Sequence, residues 1–512
     1  MSKKNNKKYD LSNSKEVEKK NIDKYDLPDL KEVEKKNINK YDLPDLPDLT
    51  ELGYQYLEKS RDEILNILVD QYQYDGDTAF NIWKNIFTST NANLGERYTF
   101  TTPFEMTSEC QKKLKTAKNL NYMNYSFLNW SFIALSVPYY QSLGDTIGYY
   151  NGKWEFNYGD VRAGPDYVNE MISEFISLGG INDFNIKGLL ASDDTIMYIA
   201  TAEVLTNGFT DINDFGNKIK KAYLDIMPIM ADRHPGITTK NSLEIQQIID
   251  WDKLPYSSST RGAGSAMRSG CIGIFYPGSH NRKKLIELAV ESSRITHNSA
   301  ITILGSIVAA LFTAYALEKV PIGKWPRKFV KLFDSGIIDE YMEKSRPKDY
   351  EFYKRDKIIY IGQWKKYINF RFGVSINPRM DIKFMKNTVQ RYKYLADNYS
   401  IGCDIPGGCA DDALIMAYDA LLESEGVFEK IVVYSVLHPG DSDTVGSIAL
   451  SWYGAFYNSP RNKRLIGDKF DDLEFHNKLY EIMKKNAITM TKIYYYDIFM
   501  NTARKYLKQY IK

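Results

Sequence analysis

After residue 50, apolar side chains recur at the three- and four-residue spacing of amphipathic helices. In 51–125 this spacing includes Leu57 and Ile64, and the region contains no residue pattern that indicates chemistry. We therefore interpret 51–125 as an accessory helical region. Over 126–512 similar apolar runs alternate with glycine-containing loops, and these runs predict further helices. The β-branched run 428–437 is also typical of a strand, but we predict a helix there.

The run 299–317 is uncharged over 19 residues, which is long enough to span a membrane. Ser, Thr and Tyr interrupt it, and charged segments flank it closely. A single interrupted run is a weak signal for a membrane span, whereas a helix that is apolar all round is typical of the centre of a helical domain. We therefore predict a buried core helix here and no contact with a membrane.

Residues 1–50 form a low-complexity arm with a repeat period of 16 residues. The unit Lys-Tyr-Asp-Leu begins at Lys8, Lys24 and Lys40. The arm contains 12 lysines, 11 acidic residues and few large apolar side chains. It cannot bury enough surface to offset the entropy of ordering, so we predict a disordered arm. Docking of a partner on its Leu-Pro-Asp-Leu units is the alternative.

The composition and charge of the chain narrow the classes of partner. The 512 residues are 43% hydrophobic, enough for a large core, and the net charge is +2. Such a balance gives no electrostatic attraction toward nucleic acid or an anionic membrane. The five histidines are scattered, the four cysteines lack zinc spacing, and no secretory signal is visible. We expect a cytoplasmic monomer with reduced cysteines.

Two acidic stretches occur far apart, Ser-Asp-Asp-Thr at 192–195 and Gly-Asp-Ser-Asp-Thr at 440–444. Each precedes an apolar helix-like run, so each alone fits a helix N-cap, where Asp, Ser and Thr are preferred. If the fold brings the two together, four carboxylates converge, and charges that close cannot all remain ionised without a cation. Such oxygen ligands suit Mg²⁺, Mn²⁺ or Ca²⁺ rather than zinc.

Glycine-containing stretches accompany the acidic ones. Gly-Asp-Thr-Ile-Gly at 144–148 predicts a tight turn, and the aromatic-rich loop after it contains Glu155. Arg-Gly-Ala-Gly-Ser at 261–265 can present backbone N–H groups to a phosphate, although close helix packing explains the same glycines equally well. The loop 401–409 contains three further glycines. His297 precedes the run 299–317, and such a lone histidine is usually a cap or a core residue.

Taken together and in this order, these stretches resemble the ADP-ribosylglycohydrolase family over most of 130–500. The resemblance is carried by 144–156, 192–195, 262–268, 296–297, 418–420 and 440–444. The run Tyr-Tyr-Asn-Gly-Lys-Trp-Glu-Phe at 149–156 is similar to the ADP-ribosylarginine hydrolase branch. The resemblance implies an all-α, compact multi-helix catalytic domain. We place it at 126–512, after the arm at 1–50 and the accessory region at 51–125.

The resemblance also implies an activity and a set of site residues. The activity is Mg²⁺-dependent hydrolysis of the N-glycosidic bond between ADP-ribose and arginine on a mono-ADP-ribosylated protein. The implied ligands of two Mg²⁺ ions are Ser192, Asp193, Asp194, Asp441, Asp443 and Thr444. The implied catalytic residues are Asp193, Asp194, Asp443 and Glu155, with Asp193 or Asp443 as general base. The implied contacts to ADP-ribose are Gly262, Ala263, Gly264, Ser265, His297, Gly408 and Asp412.

The chain departs from the branch ahead of the apolar run that begins at Ala413. Cys-Ala-Asp-Asp stands at 409–412 where the branch has Ser-Gly-His-Asp, and Asp411 differs from histidine in charge and donor capacity. Ala263, where the wider family often has Asn, is a smaller departure. Cleavage of another linkage, such as ADP-ribosylserine or O-acetyl-ADP-ribose, is therefore one alternative. A catalytically silent ADP-ribose-binding protein is another, against which the retained acidic residues argue.

Overall fold

The structure is a computed structural model that describes residues 122–155, 167–373, 385–457, 466 and 469–483. The predicted arm at 1–50 and nearly all of the predicted accessory region at 51–125 lie outside the described residues.

We number sixteen α-helices in chain order, and a further helical stretch at 476–483 ends the described residues. They are α1 (Tyr122–Tyr149), α2 (Tyr167–Ser177), α3 (Gly180–Asp183), α4 (Asp193–Asn207), α5 (Ile212–Met230), α6 (Ile237–Gln246), α7 (Gly270–Phe275), α8 (Arg282–Arg294), α9 (Ala300–Leu317), α10 (Trp325–Asp334), α11 (Ile337–Ser345), α12 (Pro347–Phe372), α13 (Thr388–Tyr399), α14 (Ala410–Ser424), α15 (Phe428–Val436) and α16 (Ser442–Tyr457). Short 3₁₀ turns include Tyr150–Gly152 and Ala263–Ser265.

The described part of the chain contains helices and no strand, which confirms the all-α fold class. The β-branched run at 428–437 is helical, as predicted, and forms α15. An isolated backbone bridge joins Gly262 to Cys409. This bridge links the two glycine loops that the sequence places far apart.

The predicted core helix is α9, and its 18 residues are all buried by other parts of the protein. Ser299 caps it, because its side chain accepts a hydrogen bond from the backbone N–H of Thr302. In turn, the Thr302 hydroxyl oxygen accepts from the backbone N–H of Ser299. Phe312 lies near its centre, and the aromatic rings around Phe312 are those of Trp325, Trp364, Tyr418 and Trp452. A phenylalanine packed this way stabilises a fold by about 3–5 kcal/mol relative to alanine.

The stretch 144–148 is not the turn that we predict from the sequence, because it lies inside the last turns of α1. Its glycines allow α1 to cross α16 at very short distance. A Cβ on Gly144 would lie 2.3 Å from the backbone oxygen of Gly446, and one on Gly148 would lie 2.5 Å from that of Ser442. The Ser442 hydroxyl also donates to the Gly148 carbonyl at 2.9 Å. The crossing thereby holds the N-terminus of α16 against the C-terminus of α1.

Candidate metal centre and ligand pocket

The first acidic turn is the N-terminus of α4. Ser192 has an extended backbone and is the N-cap, and its hydroxyl oxygen accepts a hydrogen bond from the backbone N–H of Asp194 at 3.1 Å. Asp193 and Asp194 occupy the first turn, where the helix dipole favours negative charge. The N-cap interpretation is therefore correct, and the cap places both carboxylates at one helix end.

The second acidic turn begins α16. The backbone N–H of Thr444 donates to Asp443 Oδ1 at 2.8 Å and to Asp441 Oδ1 at 3.2 Å. The N–H of Asp441 donates to the Pro406 carbonyl at 2.9 Å. A Cβ on Gly440 would lie only 2.1 Å from that same carbonyl oxygen. Glycine at 440 therefore lets the loop around Pro406 lie directly against the acidic turn.

The two acidic turns meet, with α4 and α16 presenting their N-termini to one another. Thr444 Oγ1 donates to Asp194 Oδ2 at 3.2 Å across a sequence separation of 250 residues. Ser447 Oγ donates to the other oxygen of Asp194 at 2.9 Å. Ser192 also lies near Asp443, where it opposes the rise in the pKa of that carboxyl caused by burial. The fold thus brings the predicted ligands from both stretches into one buried group.

A fifth carboxylate, that of Asp145, lies beneath the first acidic turn. Its Oδ1 accepts from the backbone N–H of Ser192 at 3.2 Å, and its Oδ2 accepts from that of Thr195 at 3.0 Å. The sequence predicts only a glycine turn around Asp145 and does not predict that this carboxylate supports the first acidic turn. The position of Asp145 near the end of α1 is a usable signal, because a carboxylate there can accept from the free N–H groups at the start of another helix.

These five carboxylates form what we call the acid cluster: Asp145, Asp193, Asp194, Asp441 and Asp443. All are at least 92% buried, and none is part of an ion pair in the described part of the chain. Burial, and then the charge of Asp443, raise the pKa of Asp145 to about 7 and that of Asp193 to about 8. The pKa of Asp194 is raised by burial and by three neighbouring carboxylates.

The donor set of the acid cluster fits a hard divalent cation. Carboxylate and hydroxyl oxygens are the ligands that Mg²⁺ and Ca²⁺ prefer, and a cation among them would offset the repulsion that raises their pKa values. Within the described ranges, no three His, Cys, Asp or Glu side chains are arranged as they stand to ligate a metal ion. Instead, burial and the neighbouring Asp443 raise the pKa of Asp441, and Asp194 accepts hydrogen bonds from the hydroxyls of Thr444 and Ser447. Cation binding would replace these internal hydrogen bonds.

Glu155 lies at the edge of the acid cluster and is 5% exposed. Its charge contributes to the raised pKa of Asp441, after burial and Asp443. Glu155 also affects Tyr149. Burial, together with the charges of Glu155 and Asp443, raises the pKa of Tyr149 to about 12. Glu155 thus adds a carboxylate beside the cluster from outside the two acidic turns.

The segment that ends in Glu155 is fixed at two points. Asn151 Oδ1 accepts from the backbone N–H of Leu190 at 2.8 Å, which ties the segment to the loop before the first acidic turn. The fully buried Trp154 donates its indole N–H to Glu174 Oε2 at 3.1 Å. These contacts place Glu155 relative to the first acidic turn.

The two glycine loops lie side by side. The backbone N–H of Ala263 donates to the Gly408 carbonyl at 3.0 Å, and that of Ala410 donates to the Arg261 carbonyl at 2.7 Å. The hydroxyl of Ser265 donates into the core, to the Thr302 carbonyl at 3.2 Å. The side chain of Ser265 therefore faces α9, and only its backbone remains available for the ADP-ribose contact that the sequence predicts.

His297 packs against the first of these loops, where a Cβ on Gly264 would lie 3.0 Å from its Cε1 atom. Thr296 Oγ1 accepts from Arg268 Nη2 at 2.7 Å, which leaves the hydroxyl proton for His297 Nδ1, also at 2.7 Å. Burial and the charge of Arg268 lower the pKa of His297 to about 3, so the ring is neutral. With the Thr296 hydroxyl taken as the donor to Nδ1, the ring proton is assigned to Nε2, which lies toward Gly262.

Asp412 shapes the second glycine loop. Its two carboxylate oxygens accept from the backbone N–H groups of Gly407, at 2.9 Å, and Cys409, at 3.0 Å. A Cβ on Gly408 would lie 3.5 Å from Asp441 Oδ2, so the loop borders the acid cluster. Of the two predicted ligand contacts here, Gly408 lines the space beside the cluster, and Asp412 holds the loop that contains it.

The departure at 409–412 makes two contacts that we do not predict. Asp411 Oδ2 accepts from Arg261 Nη2 at 2.6 Å, so the acid that replaces histidine pairs with the first residue of the stretch 261–265.

Cys403 and Cys409 form a disulfide. The prediction of reduced cysteines is wrong for this pair, because the loop between them folds back and brings the two thiols together. The disulfide removes the cysteine argument for a reducing compartment.

Comparisons with known proteins agree with this geometry. The sequence model of the family described as ADP-ribosylglycohydrolase matches residues 141–461. A protein of Acanthamoeba polyphaga mimivirus named putative ADP-ribosyl glycohydrolase L444 is 47% identical over 473 residues, which cover 91% of each chain. This match extends into the region before residue 126, because 126–512 makes up less than 91% of the chain.

Two further relatives match less of the chain. The ADP-ribosylhydrolase ARH1 of Dictyostelium discoideum is 36% identical over 340 residues, or 62% of this chain and 84% of that protein. The ADP-ribosylhydrolase ARH3 of Xenopus tropicalis is 25% identical over 227 residues, or 43% of this chain and 60% of that protein. The likeness to the ARH1 protein is thus both higher and more extensive than the likeness to the ARH3 protein.

Proposed function

The chain belongs to the ADP-ribosylglycohydrolase family of hydrolases, and on this premise we propose that it is a Mg²⁺-dependent ADP-ribosylarginine hydrolase. Its substrate is then a mono-ADP-ribosylated protein, and the bond cleaved is the N-glycosidic bond between ADP-ribose and arginine. The observation that carries the proposal is the acid cluster, which lies beside two paired glycine loops. The arginine linkage is supported by the run at 149–156, which is similar to the arginine branch.

The residues that would hold Mg²⁺ are Ser192, Asp193, Asp194, Asp441, Asp443 and Thr444. Bound there, the metal would supply Lewis acidity toward the ribose hydroxyls and a water with a lowered pKa. Asp193 and Asp441 are each 8% exposed, whereas Asp145, Asp194 and Asp443 are at most 2% exposed. The first two carboxylates therefore line the opening of the cluster, and the other three support them from within.

The chain also offers groups that can hold or move a proton. A buried carboxylate with a raised pKa is suited to general base catalysis near neutral pH, and Asp193 and Asp443 are both in this position. Guanidine is a poor leaving group, so a second group must orient it or deliver a proton to it. Glu155 lies beside Asp441 but outside the acidic turns, which suits it to this role.

The paired glycine loops are suited to bind the phosphates of ADP-ribose. Glycine at 262 and 264 allows a ligand to approach the backbone closely, and the His297 ring presents an Nε2–H donor toward Gly262 without carrying charge. A neutral donor holds a phosphate by hydrogen bonding and keeps its strength throughout the neutral pH range. The ion pair of Asp411 with Arg261 occupies the position where the branch has histidine.

Turnover assays on matched substrates test the proposal. ADP-ribosylarginine, ADP-ribosylserine and O-acetyl-ADP-ribose are presented separately, each with Mg²⁺ and after thorough chelation. We expect release of free ADP-ribose from the arginine substrate, loss of release on chelation, and recovery when Mg²⁺ is added back. Preference for the serine or acetyl substrate would replace the proposed linkage. Binding of ADP-ribose without turnover of any substrate would identify a silent binding protein, and turnover unchanged by chelation would reject the metal.

A further inference from the structure

The backbone just before the first acidic turn is held by side chains from two distant parts of the chain, 145–151 and Glu474. Residues 190–192 belong to no regular helix, and the acceptors of their N–H groups are side chains. The N–H of Leu190 donates to Asn151, that of Ala191 donates to Glu474 Oε2 at 2.9 Å, and that of Ser192 donates to Asp145. The course of the backbone into the first acidic turn therefore depends on side-chain acceptors as well as on the Ser192 cap.

Ala191 has both of its backbone polar groups bound by one ion pair. Its N–H donates to Glu474, and its carbonyl accepts from Arg233 Nη1 at 2.9 Å. Arg233 and Glu474 also pair in a fork, with Nη1 donating to Oε2 at 2.9 Å and Nη2 donating to Oε1 at 2.7 Å. A bidentate pair of this kind fixes orientation as well as distance. The ring of hydrogen bonds thus fixes the peptide groups on both sides of Ala191.

Glu474 comes from a segment that lies beyond the stretch matched by the family, 141–461. This segment is anchored on two sides. Phe470 packs on Tyr139 and Tyr140 of α1, with ring centroids 5.1 and 5.2 Å apart. Lys469 donates to the Asn182 carbonyl at 3.0 Å. The segment is therefore held independently of the acidic turn, which makes Glu474 a fixed point for Ala191.

We propose that Arg233 and Glu474 are positioning residues for the cation centre. They hold Ala191 so that Ser192, Asp193 and Asp194 face the second acidic turn before any cation binds. The inference rests on the proposed function, because it concerns the same centre. Neither residue touches the acid cluster itself, so their effect is on the placement of ligands and on cation affinity. Loss of outer residues that orient metal ligands typically lowers affinity by about 10–100-fold.

Variants of Glu474 in the full-length chain test the proposal. We expect Glu474→Ala to lower Mg²⁺ affinity by about 10–100-fold in isothermal titration calorimetry. Glu474→Gln keeps one carbonyl acceptor for Ala191 but loses the fork, so its affinity should lie between those of Glu474→Ala and wild type. A second readout needs no metal: amide hydrogen exchange of a peptide covering 190–194 should be faster in metal-free Glu474→Ala than in metal-free wild type.

The Arg282–Glu318 pair supplies a matched control. Glu318 accepts from Arg282 and from the backbone N–H of Gly278 at 2.7 Å, so here too a glutamate joins an arginine to a backbone N–H group, but away from the acid cluster. Its side-chain exposure of 22% is close to the 25% of Glu474. Glu318→Ala should lower the melting temperature to a similar degree and leave Mg²⁺ affinity unchanged.

The outcomes separate this inference from the proposed function. If Glu474→Ala binds Mg²⁺ as wild type does, or if Glu318→Ala weakens binding equally, the positioning role is overturned. Unchanged hydrogen exchange at 190–194 would also overturn it. Mg²⁺ binding by the wild-type protein is measured before any variant is compared. If the wild-type protein does not bind Mg²⁺, the proposed metal centre is rejected.

Discussion

Two buried groups of charged side chains differ in how their charge is balanced. The acid cluster gathers five carboxylates without an ion pair in the described residues. The second group, which we call the balanced network, consists of Asp419, Glu423, Arg371 and Arg391. In it Asp419 accepts from Arg371 Nε at 2.7 Å, from Arg391 Nε at 2.6 Å and from the Tyr367 hydroxyl at 2.6 Å.

The two groups are equally buried, yet their carboxylates respond in opposite directions. Asp419 is fully buried, but the two arginines and the hydrogen bonds outweigh burial and lower its pKa. Burial raises the pKa values of Asp193 and Asp194, and neighbouring carboxylates raise them further instead of offsetting burial. Burial alone therefore does not identify a functional site. In the balanced network two arginines offset two acids, whereas the acid cluster has an excess of negative charge that a cation would offset.

The largest expected effect comes from removing charge from the acid cluster. Asp193→Asn combined with Asp194→Asn should abolish release of ADP-ribose, because metal ligation and a candidate general base are lost together. General base catalysis alone typically contributes about 10²–10⁴-fold. Turnover is measured beside far-ultraviolet circular dichroism, which should show an intact fold since two repelling charges are removed. Wild-type turnover in this variant would reject the assignment.

The same type of substitution in the balanced network should instead destabilise the protein. Asp419→Asn leaves Arg371 and Arg391 buried without their shared partner, which typically costs about 3–5 kcal/mol. Urea unfolding measures the loss. Asp397→Asn is the control, because Asp397 pairs with Lys393 at an exposed helix position and such pairs contribute less than about 1 kcal/mol. Equal stability of the two variants would contradict the distinction between the two groups.

A third prediction concerns the helix crossing that supports the acid cluster. Gly148→Ala adds a Cβ that would lie 2.5 Å from the Ser442 carbonyl oxygen. The crossing must widen, which typically costs about 1–3 kcal/mol and moves the N-terminus of α16. Gly362→Ala in α12 is the control, because nothing lies within 4 Å of its added Cβ. We expect lower stability and weaker Mg²⁺ binding in the first variant only, by thermal melts and calorimetry.

The pH dependence sharpens the comparison further. An unfolded aspartate has a pKa of about 3.9, whereas those of Asp145 and Asp193 in the folded chain are about 7 and about 8. Between these values the folded state keeps protons that the unfolded state has lost, so the metal-free protein loses stability as pH rises. Mg²⁺ requires ionised ligands, so its affinity should rise by about tenfold per pH unit for each displaced proton.

Thermal melts with and without Mg²⁺ at about pH 5.5, 7 and 8.5 test how the stability of the metal-free protein and the affinity for Mg²⁺ change with pH. The metal-free melting temperature should fall across this series, and the increase produced by Mg²⁺ should grow. Asp419 should contribute nothing to this slope, because its pKa is lowered and it is ionised throughout. A metal-free melting temperature that rises with pH would contradict the charge excess of the cluster.

Local patterns predicted much of the fold. The run 299–317 gave a buried helix because its apolar residues extend all round. The two acidic stretches were predicted as helix starts, and they are, because Asp, Ser and Thr satisfy free N–H groups there. The hypothesis that they converge needed both stretches at once, since either alone is an ordinary cap.

Features that depend on contacts between distant residues were missed. Asp145 was hidden in a glycine stretch, because its partners lie 47 and 50 residues away. Arg233 and Glu474 are 241 residues apart and belong to no periodic pattern. Asp419 belongs to a stretch that carried the family resemblance, but the fold places it in the balanced network. Only the surroundings of each carboxylate distinguish the two kinds of acid.

Anomalous diffraction from crystals soaked with Mn²⁺ tests most directly whether the acid cluster is a cation centre. The account predicts two anomalous peaks between the N-termini of α4 and α16, within bonding distance of carboxylate oxygens of Asp193, Asp194, Asp441 or Asp443. The peaks should be lost from crystals of the Asp193→Asn and Asp194→Asn double variant. Crystals of the wild-type chain with no peak in this place, or with peaks only elsewhere, would contradict the account.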